Sequence, residues 1–144
     1  MIDIWFDGGS KNNQSKSLRR GYGSFRTFHN GEKVTMNIVK ESGEKIITDH
    51  YSQEYGSFSN NESELATAVL ALQYACQIQQ RSKSKLQFTF HGDSQLVIGF
   101  LTGESRIKAK NLQPLANLAI EAVNQISATF VKEDGEKIKE VLGH

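Results

Sequence analysis

The chain has 144 residues, a length that suits a single domain over 1–144 built around one hydrophobic core. Hydrophobic residues make up 38% and charged residues 23%, with 12 Gly and 1 Pro, which excludes disordered, collagen-like and fibrous chains. The 17 Lys and Arg nearly balance the 16 Asp and Glu; there is neither a basic nucleic-acid coat nor an acidic solvating tail, and any contact with a polyanion must be local. No apolar run approaches the ~20 residues that span a bilayer, and the polar start Met1-Ile2-Asp3 lacks the basic region of a signal peptide, so no membrane partner is expected. Cys76 is the only cysteine, which excludes an internal disulfide and a multi-cysteine metal site and makes a cytoplasmic setting the expectation.

In chain order, Ile2, Ile4 and Phe6 alternate with Asp3, Trp5 and Asp7, predicting a strand that ends at Gly8-Gly9. A polar loop with Lys11, Lys16, Arg19 and Arg20 leads to a β-prone stretch from Gly21 to His29. Asn30-Gly31 then signals a hairpin before Val34 to Val39. Lys45 to Tyr51 reads either as a fourth strand or as the return of a long, interrupted third one. From Asn61 to Gln80 the pattern is helical, with Leu65, Val69, Leu72 and Cys76 on one stripe. Leu86, Phe88 and Phe90 mark another strand, followed by a short apolar helix from Ser94 to Leu101 that stops at Thr102-Gly103. Asn111 to Ile126 carries Leu112, Leu115, Ala119, Ala122 and Ile126 on one helical stripe, with Pro114 tolerated in the first turn. A strand from Ala128 to Lys132 and a short charged helix from Gly135 to Leu142 complete an α/β chain whose mixed sheet is covered by helices.

Three carboxylates fall at element ends: Asp7 after the first strand, Glu64 in the first turn of the long helix, and Asp93 between strand and helix. Each also has a plain structural explanation. Asp7-Gly8 suits a turn, Asp93 suits the N-cap of the following helix, and Asn61 with Glu64 suits an N-cap and its capping-box partner. Their joint placement points further, because ligands in open sheets bind beyond the C-terminal ends of adjacent parallel strands. Clustered carboxylates repel one another unless cations lie between them. Mg²⁺ takes oxygen ligands, and two such ions can activate water and neutralise the leaving oxygen of a phosphodiester without a covalent nucleophile. Ser, Cys and His show no triad-like spacing, and no phosphate loop or dinucleotide fingerprint is present.

The strings Ile4-Trp5-Phe6-Asp7-Gly8-Gly9-Ser10, Gly21-Tyr22-Gly23, Ser59-Asn60-Asn61-Glu62-Ser63-Glu64-Leu65 and Gly92-Asp93-Ser94-Gln95-Leu96-Val97-Ile98 resemble, in order and over nearly the whole chain, the type 1 ribonuclease H family. The resemblance implies a ribonuclease H-like α/β fold: a five-stranded mixed sheet, three strands antiparallel and then parallel ones, flanked by helices. It implies endonucleolytic hydrolysis of the RNA strand of RNA-DNA hybrids with two Mg²⁺ ions, or Mn²⁺, leaving 5'-phosphate and 3'-hydroxyl ends, by an enzyme expected to be a monomer. Asp7, Glu64 and Asp93 match the family's metal-binding and catalytic carboxylates. Glu140, in Glu140-Val141-Leu142-Gly143, matches the fourth, usually an Asp, against the plain alternative of a solvated helix face. Asn13, Asn61 and Gln95 match positions that contact the hybrid's minor groove or sugars, and Gly8 and Ser10 lie where backbone groups approach the scissile strand. Telling a hybrid from plain DNA requires contacts to 2'-hydroxyls in a wide, shallow minor groove.

The sequence also departs from the family pattern. Glu133-Asp134-Gly135 stands where many bacterial members carry a mobile histidine, with His144 beyond it, and Thr102 to Asn111 is too short for a basic protrusion. Arg106, Lys108 and Lys110, with Lys11, Lys16, Arg19 and Arg20, are the residues available for phosphates. The segment from Asn37 to Tyr51 looks inserted. The alternative reading is a non-catalytic nucleic-acid or protein interaction module of the same shape. Trp5, Phe25, Phe28, Phe88 and Phe90 read as core or sheet-face residues, His29, His50 and His91 have no ligand-like spacing, and Cys76 reads as core.

Overall fold

A computed structural model describes residues 1–143. Its strands and helices in chain order are β1 (Ile2–Lys11), β2 (Arg20–His29), β3 (Glu32–Lys33), β4 (Met36–Val39), β5 (Lys45–Thr48), β6 (Tyr51–Gly56), α1 (Asn60–Arg81), β7 (Gln87–Gly92), α2 (Gln95–Thr102), α3 (Gln113–Val123), β8 (Ser127–Lys132) and α4 (Gly135–Leu142). The main sheet runs β3-β2-β1-β7-β8, with β6 also paired to β2. Pairs on the β2 side are antiparallel, whereas β1–β7 and β7–β8 are parallel. This is the expected order of antiparallel and then parallel strands, with one correction to the strand count.

The third strand position is divided. β3 pairs with Phe28 and His29 at one end of β2, and β6 pairs with Gly21 to Phe25 at the other. Between them the chain leaves the sheet as a separate hairpin, β4–β5. The main sheet therefore has six strands in five positions, and Lys45 to Tyr51 is the hairpin's return arm and the way back into the sheet. Met36 and Ile38 on the hairpin's inner side are buried in the main core, while Asn37 and Val39 face out, the period-two alternation of a half-buried strand.

The core lies on the side of the sheet covered by α1, α2 and α3. Ile4 and Phe6 of β1, Phe25 of β2 and Phe88 and Phe90 of β7 meet Leu65, Val69, Leu72 and Cys76 of α1 and Ala116, Ala119 and Ala122 of α3. Each fully buried Phe or Leu contributes about 1.5–3 kcal/mol by leaving water. α4 packs across β1 and β2 from the opposite side. Its buried Ile138 and Leu142 stand apart from the main cluster, and Arg26 Nη1 donates to the Val141 carbonyl at 3.1 Å.

β1 does not end at Gly8-Gly9. It pairs with β2 in unbroken register as far as Lys11↔Arg20, placing Gly8 opposite Gly23. These glycines are needed for close approach, not for a turn. A Cβ on Gly8 would stand 2.5 Å from the Ser63 carbonyl oxygen and 2.8 Å from the Glu64 nitrogen, and one on Gly23 would stand 1.8 Å from Thr67 Oγ1. The first turns of α1 thus lie directly on the strand backbones. A Gly8→Ala variant is therefore expected to lose about 1–3 kcal/mol in urea unfolding, the usual cost of overpacking; unchanged stability would show that the helix does not rest there.

Candidate active site

The parallel register of β1 and β7 brings Asp7 and Asp93 together. The last paired residues are Trp5↔His91, and each aspartate follows its member of that pair by two residues. Both therefore lie just past the end of that pairing, the region of an open sheet in which ligands generally bind. Asp7 is still held on its other side, opposite Ser24 of β2.

Glu64 arrives from α1, and the capping of that helix sets its register. Ser59, not Asn61, is the N-cap: its Oγ accepts from Glu62 N at 3.2 Å, and Glu62 Oε1 accepts from Ser59 N at 3.0 Å. Glu62 is thus the capping-box partner, and Glu64 is left for another role. The loop after β1 secures the same turn. Asn13 Oδ1 accepts from Asn60 N at 2.8 Å, Arg19 Nε donates to the Ser57 carbonyl at 2.8 Å, and Arg19 lies 3.7 Å from Glu62. Each side-chain cap of this kind stabilises a helix by about 1 kcal/mol.

The plain explanation of Asp93 fails in the same way, because Ser94 caps α2 by accepting from Val97 N at 3.2 Å. Asp7 is inside a strand and forms no turn. All three carboxylates are therefore free of the structural jobs that their sequence positions suggested.

Their electrostatics record the crowding. Burial, the charge of Asp93 and a hydrogen bond shared with it, and the charge of Glu64 together push Asp7 from 3.8 up to about 7, against a lowering hydrogen bond from the Gly8 backbone. Glu64 is also raised, chiefly by burial and further by Asp93, while a hydrogen bond from Ser94 pulls it down. Up to about neutral pH Asp7 therefore keeps a proton, as a carboxylate crowded by like charges does. Three oxygen-donor carboxylates whose repulsion is unrelieved suit a hard dication. Among the described residues, no group of three or more His, Cys, Asp or Glu side chains is already gathered as a metal cluster, so the fit lies in donor chemistry and charge.

The other predicted positions divide. Glu140 is exposed on α4 and is not among the groups acting on Asp7 or Glu64. Asn61 and Gln95 are exposed, each in the first turn of its helix, so the site is flanked by two amides open to solvent. Asn13 is committed to α1 through its side-chain oxygen, and Gly8 is buried beneath α1. Ser10 is half-buried near the end of β1 and donates to the Lys11 carbonyl at 3.3 Å. Arg19 is tied to α1, while Lys11, Lys16, Arg20, Arg106, Lys108 and Lys110 are exposed. His144 lies outside the described residues.

Sequence reading missed two groups. Ser94 both caps α2 and bonds Glu64, although its place next to Asp93 offered a signal. His91 bridges Asp3 and Glu133, partners 88 and 42 residues away that no local pattern reveals. A cleft of about 810 Å³ lies between the β4–β5 hairpin, β6, α1 and α3 and is lined by none of these carboxylates; the crowded charges, not cavity size, locate the chemistry.

No family model matches the sequence. Among solved structures, the chain is similar to the N-terminal RNase H domain of Rv2228c from Mycobacterium tuberculosis, solved as a fusion with maltose binding protein, with a TM-score of 0.71 and 16% identity over 96% of this chain and 90% of that one. RNase H1 from the halophilic archaeon Halobacterium salinarum NRC-1 gives 0.64 and 20% over 98% and 92%. LC11-RNase H1, solved in complex with an RNA/DNA hybrid, gives 0.64 and 18% over 97% and 90%. At such identities it is the backbone arrangement that is shared over nearly the full length, and the chain has the ribonuclease H fold.

Proposed function

We propose that the protein is a type 1 ribonuclease H, a metal-dependent endonuclease that hydrolyses the RNA strand of RNA-DNA hybrids and leaves 5'-phosphate and 3'-hydroxyl ends. The observation that carries this reading is the cluster of Asp7, Glu64 and Asp93 just past the last paired residues of β1 and β7, with Asp7 held near 7 by burial and its neighbours' charge. The same backbone arrangement in a neighbour solved with an RNA/DNA hybrid supports the choice of substrate.

Asp7, Asp93 and Glu64 would hold Mg²⁺, with two ions in the full site and Mn²⁺ able to replace them. When bound, such ions supply an activated water and charge on the leaving oxygen. The protein's own part is to keep the three carboxylates in register from β1, α1 and the end of β7, to release the proton held by Asp7, and to hold Glu64 through Ser94. Asn61 and Gln95, both exposed, would read 2'-hydroxyls of the hybrid. Lys11, Lys16 and Arg20 from the β1–β2 loop, with Arg106, Lys108 and Lys110 after α2, supply phosphate contacts. Glu140 would complete the ligand set only from an exposed position on α4, which makes it the weakest contributor.

The test is an end-labelled RNA-DNA hybrid, with all-DNA and all-RNA duplexes alongside, incubated with Mg²⁺ or Mn²⁺ and with chelator. Internal cutting of the RNA strand, lost on chelation, is the expected result; binding without cutting would favour an interaction module instead. Asp93→Asn should lower the rate at least a hundredfold, roughly 2.7 kcal/mol of barrier, with the circular dichroism spectrum unchanged. Glu140→Gln should cost less than tenfold, and an effect equal to that of Asp93→Asn would place Glu140 at the centre of the site.

Acidity supplies a test that needs no substrate. The folded protein holds a proton on Asp7 up to about pH 7, whereas the unfolded chain loses it near 3.8. Between these values the fold binds more protons, so this group's contribution to stability falls as pH rises and is level above the window. In metal-free protein, the melting temperature of Asp7→Asn relative to wild type should therefore climb from pH 4 to pH 7 and then level off. A difference independent of pH would show that Asp7 is not under this repulsion.

A further inference from the structure

On the same face of the sheet, one strand repeat before the carboxylates, lies a network that the chemistry proposed above does not use. Trp5 precedes Asp7 by two residues and His91 precedes Asp93 by two, and they are neighbours in the β1–β7 ladder. Their rings stack with centroids 4.1 Å apart and 5° between planes. Both His91 nitrogens are engaged, Nε2 with Asp3 Oδ1 at 2.8 Å and Nδ1 with Glu133 Oε1 at 2.9 Å, and the side chain is 12% exposed.

Glu133 opens the two-residue connection from β8 to α4, and its backbone N–H donates to the Gly92 carbonyl at 2.7 Å. Asp134 then caps α4 by accepting from Glu136 N at 2.9 Å. Gly135 begins the helix beside Asp93, where an added Cβ would stand 3.5 Å from Asp93 Oδ2. A continuous path therefore runs from the Trp5–His91 stack through Glu133 to the first turn of α4 and back to Asp93.

We infer that His91 is a positioning residue for the carboxylate site: stacked on Trp5 and bonded to Glu133, it seats the β8–α4 connection and so fixes the first turn of α4 against Asp93. Its ring nitrogens are already occupied by Asp3 and Glu133, so it serves the site through these neighbours and not as a ligand or proton carrier. The inference rests on the reading of Asp7, Glu64 and Asp93 as a metal site. Groups that orient metal ligands through one intermediary commonly change affinity by about 10–100-fold when removed. The path is short: Glu133 is bonded through its side chain to the His91 ring and through its backbone to the Gly92 carbonyl.

The experiment is calorimetric titration of Mn²⁺ into wild type, His91→Ala, Glu133→Ala, Glu133→Gln and the double variant His91→Ala with Glu133→Ala, with hybrid cleavage and melting temperature measured in parallel. His91→Ala and Glu133→Ala should each raise the Mn²⁺ Kd about tenfold. The double variant should be no worse than either single one, because both break the same path. Glu133→Gln keeps an oxygen for the imidazole and should bind Mn²⁺ within about twofold of wild type, restoring what Glu133→Ala loses, since a neutral acceptor can replace the carboxylate in this bond. Fluorescence of Trp5, the sole tryptophan, should change in His91→Ala and verify loss of the stack. A purely structural role would lower the melting temperature of these variants while leaving Mn²⁺ affinity of the folded protein unchanged, and that result overturns the inference. If His91→Ala does not fold, the contrast between Glu133→Ala and Glu133→Gln decides it alone. Wild type that cleaves hybrids while the variants bind Mn²⁺ as tightly overturns this inference only; wild type that neither binds Mn²⁺ nor cleaves removes the metal site with it.

Discussion

The arrangement depends on how closely the first turns of α1 lie on the glycine floor formed by β1 and β2. Gly8 and Gly23 face each other in the ladder, and neither position has room for a methyl group beneath Ser63, Glu64 and Thr67. Small helix residues complement the floor: Ser63 and Thr67 are buried, and Thr67 Oγ1 donates to the Ser63 carbonyl at 2.7 Å and lies 2.8 Å from the Tyr55 hydroxyl. A bulkier interface would lift the helix and carry Glu64 away from Asp7. The Ser59–Glu62 capping box, Asn13 and Arg19 secure the same turn from its outer side, so the register of Glu64 is set from below and from the end.

That approach costs electrostatic energy. Burial disfavours ionised carboxylates, and Asp7, Glu64 and Asp93 add their mutual repulsion to it. The fold tolerates the strain by leaving a proton on Asp7 in the absence of cations. A dication would replace that proton and convert repulsion into ligation, which links the raised acidity to the proposed reaction. The balanced total charge of the chain conceals this local acid cluster beside exposed Lys and Arg. With Arg19 turned inward to α1, the proposed hold on a nucleic acid would fall to a few exposed cations, and such binding weakens steeply as salt rises.

Much of this was legible in the amino-acid order. The α1 stripe of Leu65, Val69, Leu72 and Cys76, the alternation in β1 and β7, and the places of Glu64 in the first turns of α1 and Asp93 between β7 and α2 all follow from side-chain periodicity, whereas Asp7 lies inside β1 and not at its end. The errors have local physical reasons. Ser59-x-x-Glu62 and Asn61-x-x-Glu64 both satisfy the capping-box pattern, and only the packed helix distinguishes them. Asp93 and Ser94 compete for one N-cap in the same way. Gly8-Gly9 resembles a turn because a glycine needed for close approach and one needed for a left-handed conformation look alike in sequence. The divided third strand was legible only as two alternatives, since strand propensity does not say which edge a segment joins. The His91 network, spanning β1, β7 and the approach to α4, is tertiary and leaves no periodic trace.

The central claim is that a divalent cation displaces the proton that Asp7 holds. Mn²⁺ binding measured by calorimetry in buffers of different ionisation enthalpy, without nucleic acid, counts the protons released at each pH. With Asp7 held near 7, binding should release about one proton at pH 6 and almost none well above neutrality. Binding without proton release at pH 6, or no binding at any pH, would contradict the account.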